Sequence, residues 1–272
     1  MHRVLGHASP EVISHVESAG TDLKVDNSDP PPQSINRETC STTKAIQIIS
    51  RRSEVEQPEN GTPFNRSTWD MMEFTTGYNG NRYASHFQYR KYLFNLVYTH
   101  AKKSDTKYLF ESTLSVIQGQ FGGKVQFLRL DGETSLGDYF KDLVIEKQIK
   151  PEHSASYTPA QNEGAECSGR VLTTKAQAMQ VAAYFPADLW PEIIKAAGYL
   201  SNRTPVRKLG WKTPFEAVTQ VKPHFAHLHV YGSRAYPLIP NIPKTLKLDP
   251  RTYISYLVGY DSINIYRVWV PS

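Results

Sequence analysis

The chain has 272 residues, enough for one large domain or two modest ones with a sizeable core. Its aromatic content of 11% excludes a disordered polymer. No run of about 18 apolar residues occurs, and the first residues lack the apolar core of a signal peptide. Two cysteines, Cys40 and Cys167, are too few for a disulfide framework. We therefore expect a soluble, intracellular protein.

The net charge of +5 is unevenly distributed along the chain. Between residues 203 and 251, nine Lys or Arg stand against two acids, which gives +7 for this region and −2 for the remainder. A basic C-terminal region suits a polyanionic partner such as nucleic acid. A solvated surface is an equally good interpretation of the charge alone.

The predicted elements begin with a short helical piece over residues 1–23. Prolines and turn formers indicate a linker at 25–36, and residues 42–56 have a helical pattern. Three segments with strand composition follow, with the hairpin signal YNGN between the first two. They cover residues 68–76, 81–89 and 92–100. We predict three successive antiparallel strands.

Helices and strands alternate in the next part of the chain. The segment 105–123 has helical spacing, with Leu109, Leu114, Val116 and Ile117 on its apolar side and a glycine stop. The further predicted elements are a strand in KVQFLRLDGE, a helix at 135–148, a strand at 153–156, a helix at 161–184 and another from Pro186. This order predicts a mixed sheet covered by helices. Beyond Pro205 the helical pattern fades, and HLHVYGSRAYPLI and TYISYLVGYDSINIYRVWV predict a small all-β module.

Three carboxylates lie at informative positions. Asp131 ends the strand VQFLRL, and strand ends are where sites gather in α/β sheets. Asp70 lies inside the apolar strand TWDMMEF, where an unpaired charge is costly. Glu166 lies near the start of the helix at 161–184, on a polar stripe beside a stripe of small residues that packs on a sheet. If the three acids converge, they repel one another unless cations neutralise them, and oxygen ligands favour Mg²⁺ or Mn²⁺.

Each acid also has an ordinary structural interpretation. Asp131 suits a turn, Glu166 suits the first turn of a helix because of the helix dipole, and Asp70 suits a loop. The combination favours a site, because 35 residues separate Asp131 from Glu166. That interval places an acid on a helix two elements after an acid at a strand end.

These segments resemble the integrases of Copia-type long-terminal-repeat (LTR) retrotransposons, which have the D,D-35-E core of retroviral integrases. The three catalytic segments correspond to STWDMMEFTTGYNGNRYASHF, RLDGETSLG and YTPAQNEGAE, and the stretch after them to LWPEIIKAAGYLSNRTP and GWKTPFEAV. HRVLGH is similar to the start of a zinc-binding module, and VYGSRAYPL and YLVGYDSINIYRVWVP to a small β module. The resemblance covers nearly the whole chain.

The resemblance implies an RNase H-like fold, with a five-stranded mixed sheet flanked by helices. It implies a degenerate zinc-type segment and linker at 1–56, a catalytic core at 57–220, and a small, incomplete SH3-like β module at 221–272. The implied catalytic residues are Asp70, Asp131 and Glu166. The same three would hold two Mg²⁺ or Mn²⁺ ions.

The implied chemistry is phosphoryl transfer that joins the 3′ ends of element DNA to target DNA. The implied contacts with DNA come from Tyr157, Gln161, Asn162 and Arg170. An i,i+4 ion pair between Arg170 and Glu166 is about as well supported as a DNA contact. The implied partners are element DNA, target DNA and further copies of the chain, without a membrane, in the nucleus or a cytoplasmic particle.

The zinc-type segment departs from the family pattern. His2 and His7 match the two histidines and Cys40 matches the final ligand, but Arg37 occupies the position of the other cysteine. Because small zinc modules depend on a complete ligand set, we expect zinc binding to be weak or absent. Glu163 also stands where the family more often has glycine, which would stiffen or redirect the loop.

Two further patterns have ordinary explanations. The segment HFAHLHV suggests a metal site through His224, His227 and His229, but alternating residues of a strand are the better interpretation. Cys167 is expected to pack and not to react.

The abrupt start at the first ligand suggests a truncated or decayed copy of the element. Two other functions therefore remain open. One is a DNA-binding remnant without catalysis, and the other is a metal-dependent nuclease with the same triad.

Overall fold

The computed structural model describes residues 1–23, 62–130, 138–153, 159–240 and 248–271, and the side chains of 138–139, 153 and 159–168 are not part of the description. A five-stranded sheet in the order β3-β2-β1-β4-β5 forms its centre. The strands are β1 (Arg66–Glu73), β2 (Tyr83–Tyr89), β3 (Phe94–His100), β4 (Phe127–Leu130) and β5 (Lys150–His153). A three-stranded sheet near the C-terminus contains β6 (Arg234–Ala235), β7 (Ser255–Tyr260) and β8 (Tyr266–Trp269).

The central sheet is mixed, as the sequence predicted. β1, β2 and β3 pair antiparallel, whereas β4 pairs parallel with both β1 and β5. The first three strands are joined by short connections, which antiparallel pairing permits, and a helix intervenes before each of the two parallel strands. The arrangement agrees with the RNase H-like sheet implied by the resemblance.

Seven α-helices are present in the described residues. They are α1 (Pro10–Ile13), α2 (Val16–Ala19), α3 (Thr106–Phe121), α4 (Asp138–Glu146), α5 (Pro159–Ala183), α6 (Trp190–Ser201) and α7 (Pro214–Thr219). α3 and α4 pack on one face of the central sheet around Trp69, and α5 and α6 pack on the other face. None of the described helices is both long enough and apolar enough to cross a membrane.

Local sequence explains where α3 ends but not which of its residues are buried. The αL conformation of Gly122, with φ of 60°, ends α3 at the predicted glycine stop. The buried face of α3 differs from the predicted one, because Phe110, Thr113 and Ile117 are buried whereas Leu109, Leu114 and Val116 are only partly so. Thr113 tolerates burial by donating its hydroxyl to the carbonyl of Leu109 at 2.7 Å.

Three predicted elements differ from the structure. The strand expected from residue 153 starts earlier, as β5 at Lys150, where its parallel pairing with β4 begins, and residues 154–156 lie outside the described residues. HFAHLHV is not a strand and contributes only the isolated bridge of His224. Helix α7 was missed although its start signal is present: Thr213 caps it by accepting from the Glu216 amide, and Pro214 is its first residue. The predicted linker at 25–36 and helix at 42–56 lie outside the described residues.

The N-terminal segment and the C-terminal sheet pack on the face of the central sheet that α5 and α6 cover. Leu5 and Val16 share one buried cluster with Met179 of α5 and Ile193 of α6, and Leu257 of β7 belongs to the same cluster. The boundaries at residues 56 and 220 stay a prediction.

Glu192 in α6 is a buried carboxylate that joins three parts of the molecule. Its side chain is 2% exposed. Tyr78, between β1 and β2, donates its hydroxyl to Oε1 at 2.7 Å, and Lys195 Nζ lies 3.1 Å from the same oxygen. From β8, Arg267 places Nη2 2.9 Å from Oε1 and Nε 2.7 Å from Oε2. This cluster therefore fastens the C-terminal sheet to the core.

The Glu192 cluster predicts a pH-dependent stability. Burial raises the pKa of Glu192, but the hydrogen bond from Tyr78 and the charges of Lys195 and Arg267 outweigh burial, so the pKa lies below its ordinary value of 4.5. A carboxyl group with a lowered folded-state pKa stabilises the protein above its unfolded pKa and loses that effect as the pH falls through its folded pKa. We expect Glu192→Gln to lower the free energy of unfolding by about 2 kcal/mol at neutral pH.

Urea unfolding of both proteins from neutral pH to below 4.5, the ordinary pKa of Glu192, tests this expectation. The difference between them should shrink over the acid part of the range. Glu73→Gln is the matched control, because Glu73 pairs with Arg82 at 3.1 Å but is 50% exposed and should contribute less than about 1 kcal/mol. A difference that is independent of pH would contradict the role assigned to Glu192.

Candidate functional site

Asp70 lies in β1 at the centre of the sheet, between β2 and β4. The last paired residues of the parallel strands β1 and β4 are Trp69 and Leu130. The residues that follow them in the sequence are Asp70 and Asp131. The pairing of β1 with β4 therefore ends one residue before Asp131. Asp131 itself lies outside the described residues.

Helix α5 approaches Asp70 closely at Gly169. A Cβ atom at Gly169 would lie 2.7 Å from Asp70 Oδ2, which is closer than real side chains come. Glu166 precedes Gly169 by three positions, and residues three apart in a helix lie on one face in successive turns. The missing side chain at Gly169 therefore lets the part of α5 that follows Glu166 lie against the Asp70 carboxylate.

The described residues test only part of the predicted site. Tyr157 lies outside them. Gln161, Asn162 and Glu166 are in α5, but their side chains are outside the description. Arg170 is exposed on α5, one turn beyond Glu166. The structure thus brings Asp70 and the helix of Glu166 together, while the triad and the DNA contacts stay predictions.

The packing stripe predicted on α5 is present beyond its first turns. Gly169, Leu172 and Met179 are buried, and Ala176 is partly buried. On the neighbouring stripe, Arg170 and Gln177 are exposed, as expected for its polar residues. The helical period was therefore interpreted correctly, and it determines which side of α5 faces Asp70.

Sequence reasoning missed two buried polar residues on the sheet face of Asp70. Arg129 of β4 is 8% exposed and pairs with Thr68, two positions from Asp70. His86 of β2 is fully buried and pairs directly with Asp70. Burial lowers the pKa of His86 to about 4, although its hydrogen bond to Asn95 opposes the shift. Charged or imidazole side chains at alternate positions of a strand indicate that one face of the sheet is polar. Only the strand register shows which of these residues are opposite one another.

The first two members of the predicted zinc set lie together near the N-terminus. The rings of His2 and His7 are buried, with centroids 4.9 Å apart. His2 Nδ1 lies 2.6 Å from the carbonyl oxygen of Ala8 and must donate to it, so in the neutral ring it is Nε2 that carries the lone pair. Cys40 lies outside the described residues. Weak or absent zinc binding stays a prediction.

The histidines of HFAHLHV make other contacts. His224 Nε2 lies 2.9 Å from Asp22 Oδ2, and His227 Nε2 lies 2.8 Å from the hydroxyl of Tyr199. Burial, followed by the charges of Arg203 and the neighbouring histidines, lowers the pKa of His227 to about 4. Within the described ranges, no three His, Cys, Asp or Glu side chains are placed to hold a metal ion. That statement does not include Asp131 or the side chain of Glu166.

The basic C-terminal region divides into buried and exposed residues. The Arg203 guanidinium carbon lies 3.4 Å from the centre of the Tyr199 ring, and burial lowers the pKa of this arginine. Arg207 pairs with Glu11 at 3.7 Å, and Lys222 donates to the carbonyl of Ser18 at 2.6 Å. Lys208, Lys212, Arg234 and Arg251 are also exposed in the described part of this region. The burial of Arg203 takes one of the counted cations away from the exposed surface.

Comparison with known proteins finds similar curated sequences and similar solved structures. The chain is 29% identical over 180 residues to the Retrovirus-related Pol polyprotein from transposon TNT 1-94 of Nicotiana tabacum. The match covers 64% of this chain and 13% of the polyprotein. The crystal structure of the catalytic core domain of BIV integrase covers 58% of this chain and 95% of its own, at 13% identity and a TM-score of 0.42. No family model matches.

The fold and the position of Asp70 place the chain in a class with a mixed five-stranded sheet, flanking helices and a carboxylate at its centre. The match to a transposon Pol polyprotein is a similarity to one part of that longer protein, because it covers 13% of the polyprotein's length. The resemblance to the integrases of LTR retrotransposons is therefore confirmed.

The contact at Gly169 predicts an unusual response to a helix-stabilising substitution. Gly→Ala at an exposed helical position stabilises by about 1 kcal/mol. Gly119→Ala in α3 should show this gain, because Gly119 is exposed and no atom lies within 4 Å of its Cβ position. Gly169→Ala should lose the gain or destabilise by about 1 kcal/mol, because its methyl group must displace the Asp70 carboxylate. Urea unfolding measures both, and equal gains would contradict the close approach.

Proposed function

We propose that this chain is the core of an LTR-retrotransposon integrase and joins the 3′ ends of element DNA to target DNA. The observation that carries the proposal is the contact between Asp70 Oδ2 and α5 at Gly169, one turn after Glu166. The end of the β1–β4 register next to Asp131 supports it. The relationship to a transposon Pol polyprotein supports the same function.

The donor set of the proposed site fits hard divalent cations. Asp70, Asp131 and Glu166 offer only carboxylate oxygens, the donors that Mg²⁺ and Mn²⁺ prefer. Two such ions would activate an attacking oxygen and stabilise the leaving oxygen in an in-line displacement. The protein contributes a rigid position for Asp70, because β1 is bonded to a strand on each side.

The proposed DNA surface includes the start of α5. Arg170 is exposed one turn beyond Glu166 and could hold a phosphate. Tyr157, Gln161 and Asn162 are proposed to contact the DNA ends. Further copies of the chain are proposed partners in the active assembly, with the nucleus or a cytoplasmic particle as its location.

A strand-transfer assay tests the function. Purified protein is incubated with Mg²⁺ or Mn²⁺, an oligonucleotide that carries the element end, and target DNA. We expect joined products from the wild type and a loss of about 100-fold or more in Asp70→Asn, Asp131→Asn and Glu166→Gln, since each removes a metal ligand. Because the three residues would act as a unit, double variants should be no worse than single ones. Asp188→Asn is the control, because this acid is exposed in the short 3-10 turn that precedes α6.

The same assay separates the alternatives. Cleavage without joining, abolished by the same three substitutions, would replace the integrase proposal by a metal-dependent nuclease. Retention of DNA without either reaction would replace it by a DNA-binding remnant. Wild-type joining that survives the loss of any one acid would contradict the assigned triad.

A further inference from the structure

A buried hydrogen-bond network behind Asp70 fixes the proton position of His86. His86 Nε2 lies 2.9 Å from Asn95 Oδ1. The orientation of the Asn95 amide is determined by its nitrogen, which donates to the carbonyl oxygen of Leu93 at 2.8 Å. The atom that faces His86 is therefore an oxygen, so Nε2 must carry the proton and Nδ1 must carry a lone pair. Gln88 Nε2 donates to the same oxygen at 3.0 Å, which agrees with this assignment.

The network continues into the residue that ends α6. Asn202 Oδ1 accepts from the backbone N–H of Asn95 at 2.7 Å, and Asn202 Nδ2 donates to the backbone carbonyl of Asn95 at 2.7 Å. A backbone N–H can only donate and a backbone carbonyl can only accept, so these two bonds also fix the orientation of the Asn202 side-chain amide. Asn95 and Asn202 are 9% and 6% exposed. His86 is thus held by a chain of bonds that starts in the backbone of β3 and at the end of α6.

The other nitrogen of His86 is an unusual group. Nδ1 is buried, and within the described part of the chain it has no hydrogen-bond partner. Such a group costs about 1–3 kcal/mol, so a histidine here needs a reason beyond packing. The residue opposite His86 on β1 is Asp70, and residues paired across two strands present their side chains on the same face.

We propose that His86 is a positioning residue for Asp70. Asn95 keeps the ring in the Nε2–H tautomer, and the ring occupies the sheet face beside Asp70. On that face the ring therefore presents Nδ1 as a hydrogen-bond acceptor, where the other tautomer would present a proton donor. A donor there would hold the carboxylate in a hydrogen bond and occupy an oxygen that a cation needs. With an acceptor beside it, the carboxylate stays directed toward α5, where Oδ2 lies against Gly169. This inference rests on the proposed function, because it treats Asp70 as a metal ligand.

Two substitutions separate positioning from packing. His86→Gln retains a donor near the place of Nε2, which can still bond to Asn95, whereas His86→Leu retains only the volume. We expect Gln to preserve Mn²⁺ binding and DNA joining within about threefold, and Leu to weaken Mn²⁺ binding on the order of 10-fold. Urea unfolding should show both variants folded. Asn95→Leu should reproduce the defect of His86→Leu, and the double variant should be no worse than either, since the two residues act through one bond.

Mn²⁺ binding, followed by the loss of the free-ion signal in electron paramagnetic resonance, gives a result without DNA. A folded His86→Leu variant that binds Mn²⁺ as the wild type does would overturn the inference, as would equal defects in Gln and Leu. Wild-type protein that binds no Mn²⁺ would also overturn it. Wild-type protein that binds Mn²⁺ with the expected variant pattern but joins no DNA would overturn the proposed function and leave the positioning role supported.

Discussion

The close approach of α5 to the centre of the sheet is the constraint on which the rest of the site depends. Gly169 and Leu172 of α5 are buried against the sheet. Asp70 Oδ2 lies so close to Gly169 that a side chain at this position would collide with it. A carboxylate in the central strand would otherwise be covered by a side chain and lose its access to a ligand. Because Glu166 lies one turn earlier on the same helix, the position of α5 also sets where that acid can lie.

The two faces of the sheet are built differently. The face under α3 and α4 is an aromatic core, in which Trp69, Phe87, Phe110 and Phe140 pack at ring distances of 5.1 to 6.4 Å. The face under α5 and α6 carries Asp70 and the buried network of His86. Buried polar groups are costly unless they are hydrogen-bonded, and the network meets that need through fixed backbone partners except at His86 Nδ1. Both faces bury apolar side chains, and the face under α5 and α6 also holds the candidate site.

The segments on either side of the central sheet also depend on the α5 and α6 face. His15 stacks on Trp211 with ring centroids 3.8 Å apart, and a Cβ atom at Gly20 would lie 2.2 Å from the Phe225 ring, so the N-terminal segment lies close against residues on both sides of the predicted end of the core. At the other end, Arg267 reaches the buried Glu192. Leu5 of the N-terminal segment also shares a buried cluster with Met179 of α5, and Glu192 belongs to α6, so both segments are attached to the helix pair on the sheet face of Asp70.

The sequence by itself indicated most of the elements and the resemblance to integrases. Composition and turn signals predicted the three antiparallel strands, and the helical period predicted the packed side of α5. The motifs around Asp70, Asp131 and Glu166 resemble those of LTR-retrotransposon integrases. These features are local or depend on spacing along the chain, so they can be read without the fold. Only the tertiary structure decided that His86 pairs with Asp70 and that Glu192 bonds to Tyr78 and Arg267. Those partners are far apart in the sequence, and strand register and helix packing alone bring them together.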